Sequence, residues 1–155
     1  MPLEIDLQVE YAGLYRVLAE AEKVFGLRTM VKVARYAAQP VAKKLRSYVR
    51  DVGDMSRRAR GLAGRTIGVN TSRGVKVGFV KRGNTSAGLS GRNIHWWVLG
   101  TDYRATKRTK QFRGRIRPHL QGLLERAVSE AKSEVVARAQ ERLEREVARR
   151  AARQR

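Results

Sequence analysis

PHLQGLLERAVSEAKSEVVARAQERLEREVARR, residues 118–150, holds the longest regular pattern in the chain. Leu120, Leu123, Leu124, Ala127, Val128, Ala131, Val135, Ala139, Leu143 and Val147 recur at helical spacing, which places them on one face of an α-helix. Charged residues fill the other face. Glu130, Glu134 and Arg138 follow one another at i,i+4, as do Glu141 and Arg145, a spacing that supports a helix surface. Pro118 stands at the head, where a first-turn proline forfeits no hydrogen bond. The pattern predicts a long helix over 118–150 with one apolar stripe. Such a stripe needs a second layer to cover it.

Candidates for that layer lie upstream. Leu3, Ile5, Leu7 and Val9 alternate with Glu4, Asp6 and Gln8, the period of a half-buried strand. Leu14, Val17, Leu18, Ala21, Val24 and Phe25 then recur at three and four, so residues 13–25 read as an amphipathic helix, stopped by Gly26. Met30, Ala34, Ala37, Val41, Leu45 and Tyr48 form the stripe of a second helix. Pro40 falls inside it and demands a kink or a restart.

The middle of the chain is punctuated differently. DVGDMSRRARGLAG (51–64) loses the apolar period and reads as a loop ordered by a partner. Ile67 and Val69 alternate before Thr71-Ser72-Arg73-Gly74, and Val75, Val77 and Phe79 after it, which predicts a hairpin. Residues 83–93 are Gly/Ser-rich and read as a flexible link. IHWWVLG (94–100) is a short apolar element, either a strand or a one-turn helix, and 101–117 reads as a long polar loop. The expected fold is α+β: a small antiparallel sheet of the N-terminal strand plus the central hairpin, packed against two long helices, with long basic loops. It forms a single domain over 1–150, followed by a basic tail at 151–155. No internal repeat is present.

Charge is the outlying property. The 155 residues include 34 Lys+Arg against 14 Asp+Glu, a net charge of +20, with 42% hydrophobic residues. Met55 to Leu124 contains 16 Lys/Arg and one acid, Asp102. Such a block repels itself unless a polyanion or an acidic surface is near, which makes nucleic acid the first suspect. Arg57, Arg58 and Arg60 precede the hairpin, and Lys107, Arg108, Lys110, Arg113, Arg115 and Arg117 fill the long loop. These are the candidate DNA- or partner-contacting residues, able to neutralise phosphates without reading bases. Trp96 and Trp97 are the only tryptophans. On a strand they would point to opposite faces, one into the core and the other, with Tyr103, anchoring a protein contact.

Motifs for catalysis are lacking. His95 and His119 are the only histidines, and neither lies in a metal-ligand spacing. A metal-dependent nuclease built on His95, Asp102 and His119 competes with a plainer reading, in which His95 packs beside tryptophan and His119 sits in a helix's first turn. Two-metal nucleases need several carboxylates, and the basic block holds one. Phosphate-binding glycine loops and a marked nucleophile are also missing. The sequence therefore predicts no enzyme, cofactor or metal site. Without cysteine there is no disulfide and no thiolate-ligated metal. MPLEIDLQVEY has no signal-peptide form and no apolar run reaches the roughly 20 residues of a membrane span, so the expectation is a soluble intracellular product with no membrane partner.

The order of these parts resembles the head–tail joining, or tail-completion, proteins of long-tailed double-stranded DNA bacteriophages. A strand leads through Gly13-Leu14 into a helix, and Ala37-Ala38-Gln39-Pro40-Val41 matches the family's alanine-rich helix with a mid-helix proline. Arg60-Gly61-Leu62-Ala63-Gly64-Arg65-Thr66-Ile67 falls where the family leads into its hairpin. His95-Trp96-Trp97-Val98-Leu99-Gly100-Thr101 is similar to its aromatic segment ending in Gly-Thr, and Arg117-Pro118-His119-Leu120 falls where Pro-Phe-Leu opens its last helix. The chain departs from the family in DMSRRARGLAG (54–64), which replaces a proline and Thr-Gly, and in His119, which replaces phenylalanine. The resemblance implies a structural protein of the virion neck, made in the host cytoplasm. Its partners would be other copies in a homo-oligomeric ring of roughly six- or twelve-fold order, the head connector or portal-side proteins, and the tail tube or tail terminator. Genomic DNA would pass through the lumen and touch it non-specifically. The competing expectation is a sequence-nonspecific nucleic-acid-binding protein of ribosome or nucleoid.

Overall fold

The computed structural model describes residues 21–70, 75–79, 93–102, 104–105 and 112–153. Residues 21–25 are helical, and Gly26 ends that turn with φ 78° while its N–H still donates to the Glu22 carbonyl at 2.8 Å. Then come α1 (Leu27–Ala37), α2 (Gln39–Asp51), α3 (Arg57–Thr66), β1 (Ile67–Asn70), β2 (Lys76–Phe79), α4 (Ile94–Leu99), β3 (Arg104–Ala105), β4 (Phe112–Gly114) and α5 (Leu123–Arg153). The fold is α+β and mostly helical. The N-terminal strand expected over residues 3–9 lies outside the described residues.

Pro40 restarts the helix rather than breaking its path. It stands in the first turn of α2, where its missing N–H is not needed. Ala38 keeps right-handed angles (φ −77°, ψ −12°) between the two segments. α1 and α2 thus present a nearly continuous apolar stripe of Met30, Val33, Ala37, Val41, Ala42, Leu45 and Val49, all buried. Its phase differs slightly from the expected one: Ala34 and Tyr48 lie at the edge, half-buried, while Val33 and Val49 take the centre.

α5 covers this stripe. Its 31 residues give it a length of about 46 Å. Leu124, Ala127, Val128, Ala131, Val135 and Ala139 face α1 and α2 as part of one core cluster. Ala127, Ala131 and Ala139 are fully inaccessible, and small side chains at such a contact let two helices approach closely. The principal packing is therefore helix on helix. The small antiparallel sheet of the expected α+β fold packs against these helices: β1 and β2 pair antiparallel, with Ile67 opposite Phe79 and Val69 opposite Val77, and this hairpin lies beside α2. Gly78, in the hairpin, has φ 144°, and a Cβ there would stand 3.3 Å from Leu124 Cδ2.

Polar side chains fasten the edges of the helical seam. Arg126, Arg138 and Arg150 of α5 lie over the rings of Tyr48, Tyr36 and Phe25, at 4.7, 5.4 and 4.8 Å. Numbers rise on one side as they fall on the other, so α5 runs antiparallel to α1 and α2. Such stacks contribute about 0.5–1 kcal/mol each at exposed positions. Around Glu130 the fastening is denser. Its carboxylate accepts from the Tyr48 hydroxyl and from Arg126 Nε (2.8 Å), while its main-chain carbonyl accepts from Lys44 Nζ at 2.9 Å. The Tyr48 hydrogen bond, followed by Arg126, holds the Glu130 carboxyl below its ordinary range, and the same carboxylate raises the Tyr48 hydroxyl.

Several boundaries differ from the sequence reading. The loop expected over 51–64 contains α3. Ser56 caps it, accepting from the Ala59 N–H at 3.2 Å. Ala59, Leu62, Ala63 and Thr66 form a short inward stripe of mainly small residues. α5 begins at Leu123, after Gly122 with φ 71°, rather than at Pro118. Residues 119–122 form a turn whose Leu120 is a buried plug, 1% exposed. At the other end α5 continues through Arg153, into the segment expected as a tail. Part of the loop expected over 101–117 is a small ladder, β3 against β4.

Two outcomes follow from the seam. Ala131→Leu overpacks its fully buried centre and should lower stability by about 1–3 kcal/mol, measured by urea unfolding. The Glu130 clamp has two pH limits. Its carboxyl is depressed in the fold, so that contribution is present above about pH 4.3 and lost as pH falls through the folded value. Tyr48 is raised, so its share is present below about pH 10 and lost as pH rises through the folded value. The unfolding midpoint of the wild type minus that of Glu130→Gln should therefore shrink toward both ends of the pH range.

Candidate functional site

α4 carries both tryptophans on a helix of six residues, IHWWVL. The strand alternative is thereby set aside, and with it the opposite-face placement. Adjacent helical residues diverge by about 100°, and both tryptophans are half-buried. Trp97 leans on the core cluster with Val98, while Ile94 is buried within it. Leu99, 63% exposed, and His95 face outward.

The end of α4 is tied to the segment leading into α5. Leu120 N–H donates to the Trp97 carbonyl at 2.9 Å, and His119 stacks on Trp97 with ring centres 5.8 Å apart. His95 instead meets Trp96 edge-on at 5.4 Å. His119 sits in the turn before the helix rather than in its first turn. The two histidines are thus held by different tryptophans. Among the described residues no three of His, Asp and Glu gather as a metal site, so His95, Asp102 and His119 do not form the nuclease trio.

Gly100 and Thr101 make the base of a basic arm. Thr101 N–H donates to the Ile116 carbonyl at 2.9 Å, and the Ile116 N–H donates to Thr101 Oγ1 at 3.1 Å. These bonds bring the two ends of the 102–115 interval, here called the arm, together, and the β3–β4 ladder pairs them again, Arg104 opposite Gly114. Gly100 has φ 76°, and a Cβ there would stand 3.2 Å from Pro118 Cδ and 3.3 Å from the Ile116 carbonyl. Glycine is required at this position by conformation and by space.

The arm gathers part of the expected basic set. Arg115 and Arg117 are exposed on its returning side. Arg113 belongs to the backbone of β4. Lys107, Arg108, Lys110 and Tyr103 lie outside the described residues. Asp102 is exposed at the arm's base. A second group sits apart, on α3. Arg57 and Arg58 are exposed in its first turn, whereas Arg60 is half-buried and donates from Nη1 to the Arg50 carbonyl at 2.7 Å. Arg60 therefore closes the C-terminal end of α2, a favourable place for a cation. Arg46 answers it from α2, donating Nη2 to the Ile67 carbonyl at the end of α3, 2.9 Å away.

Lys43, Arg46, Arg50 and Arg65 do not stand out in the sequence, yet all are exposed beside this group. A signal for three of them exists: 43, 46 and 50 share the polar face of the second helix at steps of three and four. A basic block bounded at Met55 leaves it aside. Comparison with known protein families, characterised proteins and solved structures finds no match to this chain. No helix among the described residues is long and apolar enough to cross a membrane.

Substitution at the arm's base should separate arm from body. Gly100→Ala forces a left-handed alanine against Ile116 and Pro118 and should cost about 1–2 kcal/mol or more in urea unfolding. Thr101→Val removes the acceptor for Ile116 N–H. Limited trypsin digestion should then cut faster within 102–117, while the far-ultraviolet helical signal stays unchanged.

Proposed function

We propose that this chain is a structural protein of a tailed bacteriophage virion, one subunit of a ring at the neck that completes the tail or joins it to the head connector. The observation that carries the reading is the Gly100–Thr101 base closed on Ile116. It closes off a basic segment of the sequence next to a body whose last helix, α5, engages most of its own arginines with glutamates and aromatic rings. A ring needs two different contact surfaces on each subunit, because head-to-tail contacts are heterologous. The body and the arm supply surfaces of different chemistry. The exposed Leu99 beside the half-buried Trp96 offers an aromatic-aliphatic edge suited to a protein neighbour.

The order of sequence motifs supports the same reading. The alanine-rich helix restarting at Pro40, the hairpin entered from α3, the aromatic segment ending in Gly-Thr and the long last helix follow the family's order. A lumen crossed by DNA favours positive, sequence-blind surface, and the middle of the chain has that composition. No enzymatic step belongs to this role.

Location is the direct test. Intact particles purified on a density gradient should contain this protein at a constant low copy number relative to the major capsid protein. Deleting residues 104–116 should leave the helical body folded, by circular dichroism, and yield separate heads and tails by electron microscopy. Recovery in ribosomal or nucleoid fractions, with none in particles, would instead establish the nucleic-acid-binding alternative.

A further inference from the structure

α2 and α3 pack side by side, and most of the positive charge on their exposed surface is unused by the fold. Lys43, Arg46 and Arg50 lie along α2, and α3 adds Arg57, Arg58 and Arg65, all six exposed. The reciprocal bonds from Arg60 to the Arg50 carbonyl and from Arg46 to the Ile67 carbonyl fasten the two helices side by side. The side chains of Lys43, Arg50, Arg57, Arg58 and Arg65 form no ion pair or hydrogen bond with another described residue. Asp51 and Asp54, both exposed in or beside the connection, are the acids within 43–65.

The glycines of α3 add a second, independent fact. Gly61 and Gly64 stand one turn apart, and a Cβ on either would meet nothing within 4 Å. Glycine weakens a helix interior relative to alanine, and no described neighbour in the chain requires its absence of side chain. The helix at these two positions is open among the described residues, with room for a surface from outside to approach its backbone between the arginines.

What that surface is follows from what the face lacks. The exposed large hydrophobic residues among those described are Val24, Leu27, Leu99 and Val147, and none lies on α2 or α3. A protein interface has an apolar centre with aromatic anchors. Arginine-rich, apolar-poor surface with bare backbone fits a chain of phosphates, which guanidinium groups bind through paired hydrogen bonds. We infer that the α2–α3 face is a sequence-blind docking surface for a nucleic-acid phosphate backbone, separate from the arm. The face stands on its own geometry; it rests on the neck reading only for duplex DNA as the nucleic acid it meets.

The test is fluorescence anisotropy of the full chain on a short labelled DNA duplex of mixed sequence, across a salt series. A few neutralised phosphates place binding in the non-specific range, a Kd of about 10⁻⁴–10⁻⁶ M. R57Q/R58Q/R65Q should reduce the slope of log affinity against log salt by about 2.7, or 0.9 for each phosphate no longer neutralised, and weaken binding at least about tenfold. G61A/G64A should raise Tm by roughly 3–6 °C through better helix formation and still weaken duplex binding several-fold. A variant that gains stability and loses binding excludes unfolding as the cause. Wild-type binding and slope in both variants would overturn the inference, as would tighter binding of polyglutamate than of duplex, which would assign the face to an acidic protein. Copy number in particles tests the neck reading separately, so each reading can fail without the other.

Discussion

The seam between α5 and the α1–α2 pair is the constraint on which the rest depends. A single long helix gains most of its stability from tertiary packing of its apolar face, not from propensity. Here that face is built from alanine, valine and leucine, with Ala127, Ala131 and Ala139 fully enclosed. The partner must therefore approach closely, and it must be straight enough to follow. Pro40 could have broken the partner, but at the head of α2 it leaves the apolar stripe nearly continuous. Once the seam forms, the other parts have places to attach: the hairpin beside α2, Leu120 beneath the turn before α5, and Trp97 against the core.

Much of this is legible in residue periodicity. The stripes at 30–48 and 120–143 mark the helices that pair, and alternation at Ile67/Val69 and Val77/Phe79 gives the hairpin's partners because side chains on a strand alternate with period two. Other parts are hidden for identifiable reasons. α3 buries mainly alanine and threonine, residues too small to register as an apolar stripe, and its glycines and arginines resemble a loop. α4 is only six residues long, too short for period two and period 3.6 to be told apart. The start of α5 is displaced because Pro118 carries a helix-opening signal, while Gly122, with its left-handed φ of 71°, sets the boundary. For the candidate site, the sequence marks the basic segments but does not divide arginines that hold the fold from those that face outward.

That division changes the meaning of a net charge of +20. On α5, Arg126, Arg138 and Arg150 lie over aromatic rings, and Arg142, Arg145 and Arg149 pair with Glu146, Glu141 and Glu146. Arg46 and Arg60 close helix ends. Much of the arginine outside the middle of the chain is thus part of the architecture. Among the described residues, other positive charge faces outward: Arg28 and Arg35 on α1, the exposed basic residues of α2 and α3, and Arg115 and Arg117.

The closure of Thr101 on Ile116 has a consequence for how such a chain can diverge. Both hydrogen bonds use main-chain groups of Ile116, and the Thr101 hydroxyl is the one side-chain atom they need. The side chains between these two positions take no part in either bond. Substitution of those side chains leaves both bonds of the junction as they are, while substitution at Gly100 or Thr101 does not. The mount is specified by Gly100, Thr101 and one backbone position, independently of the side chains it carries.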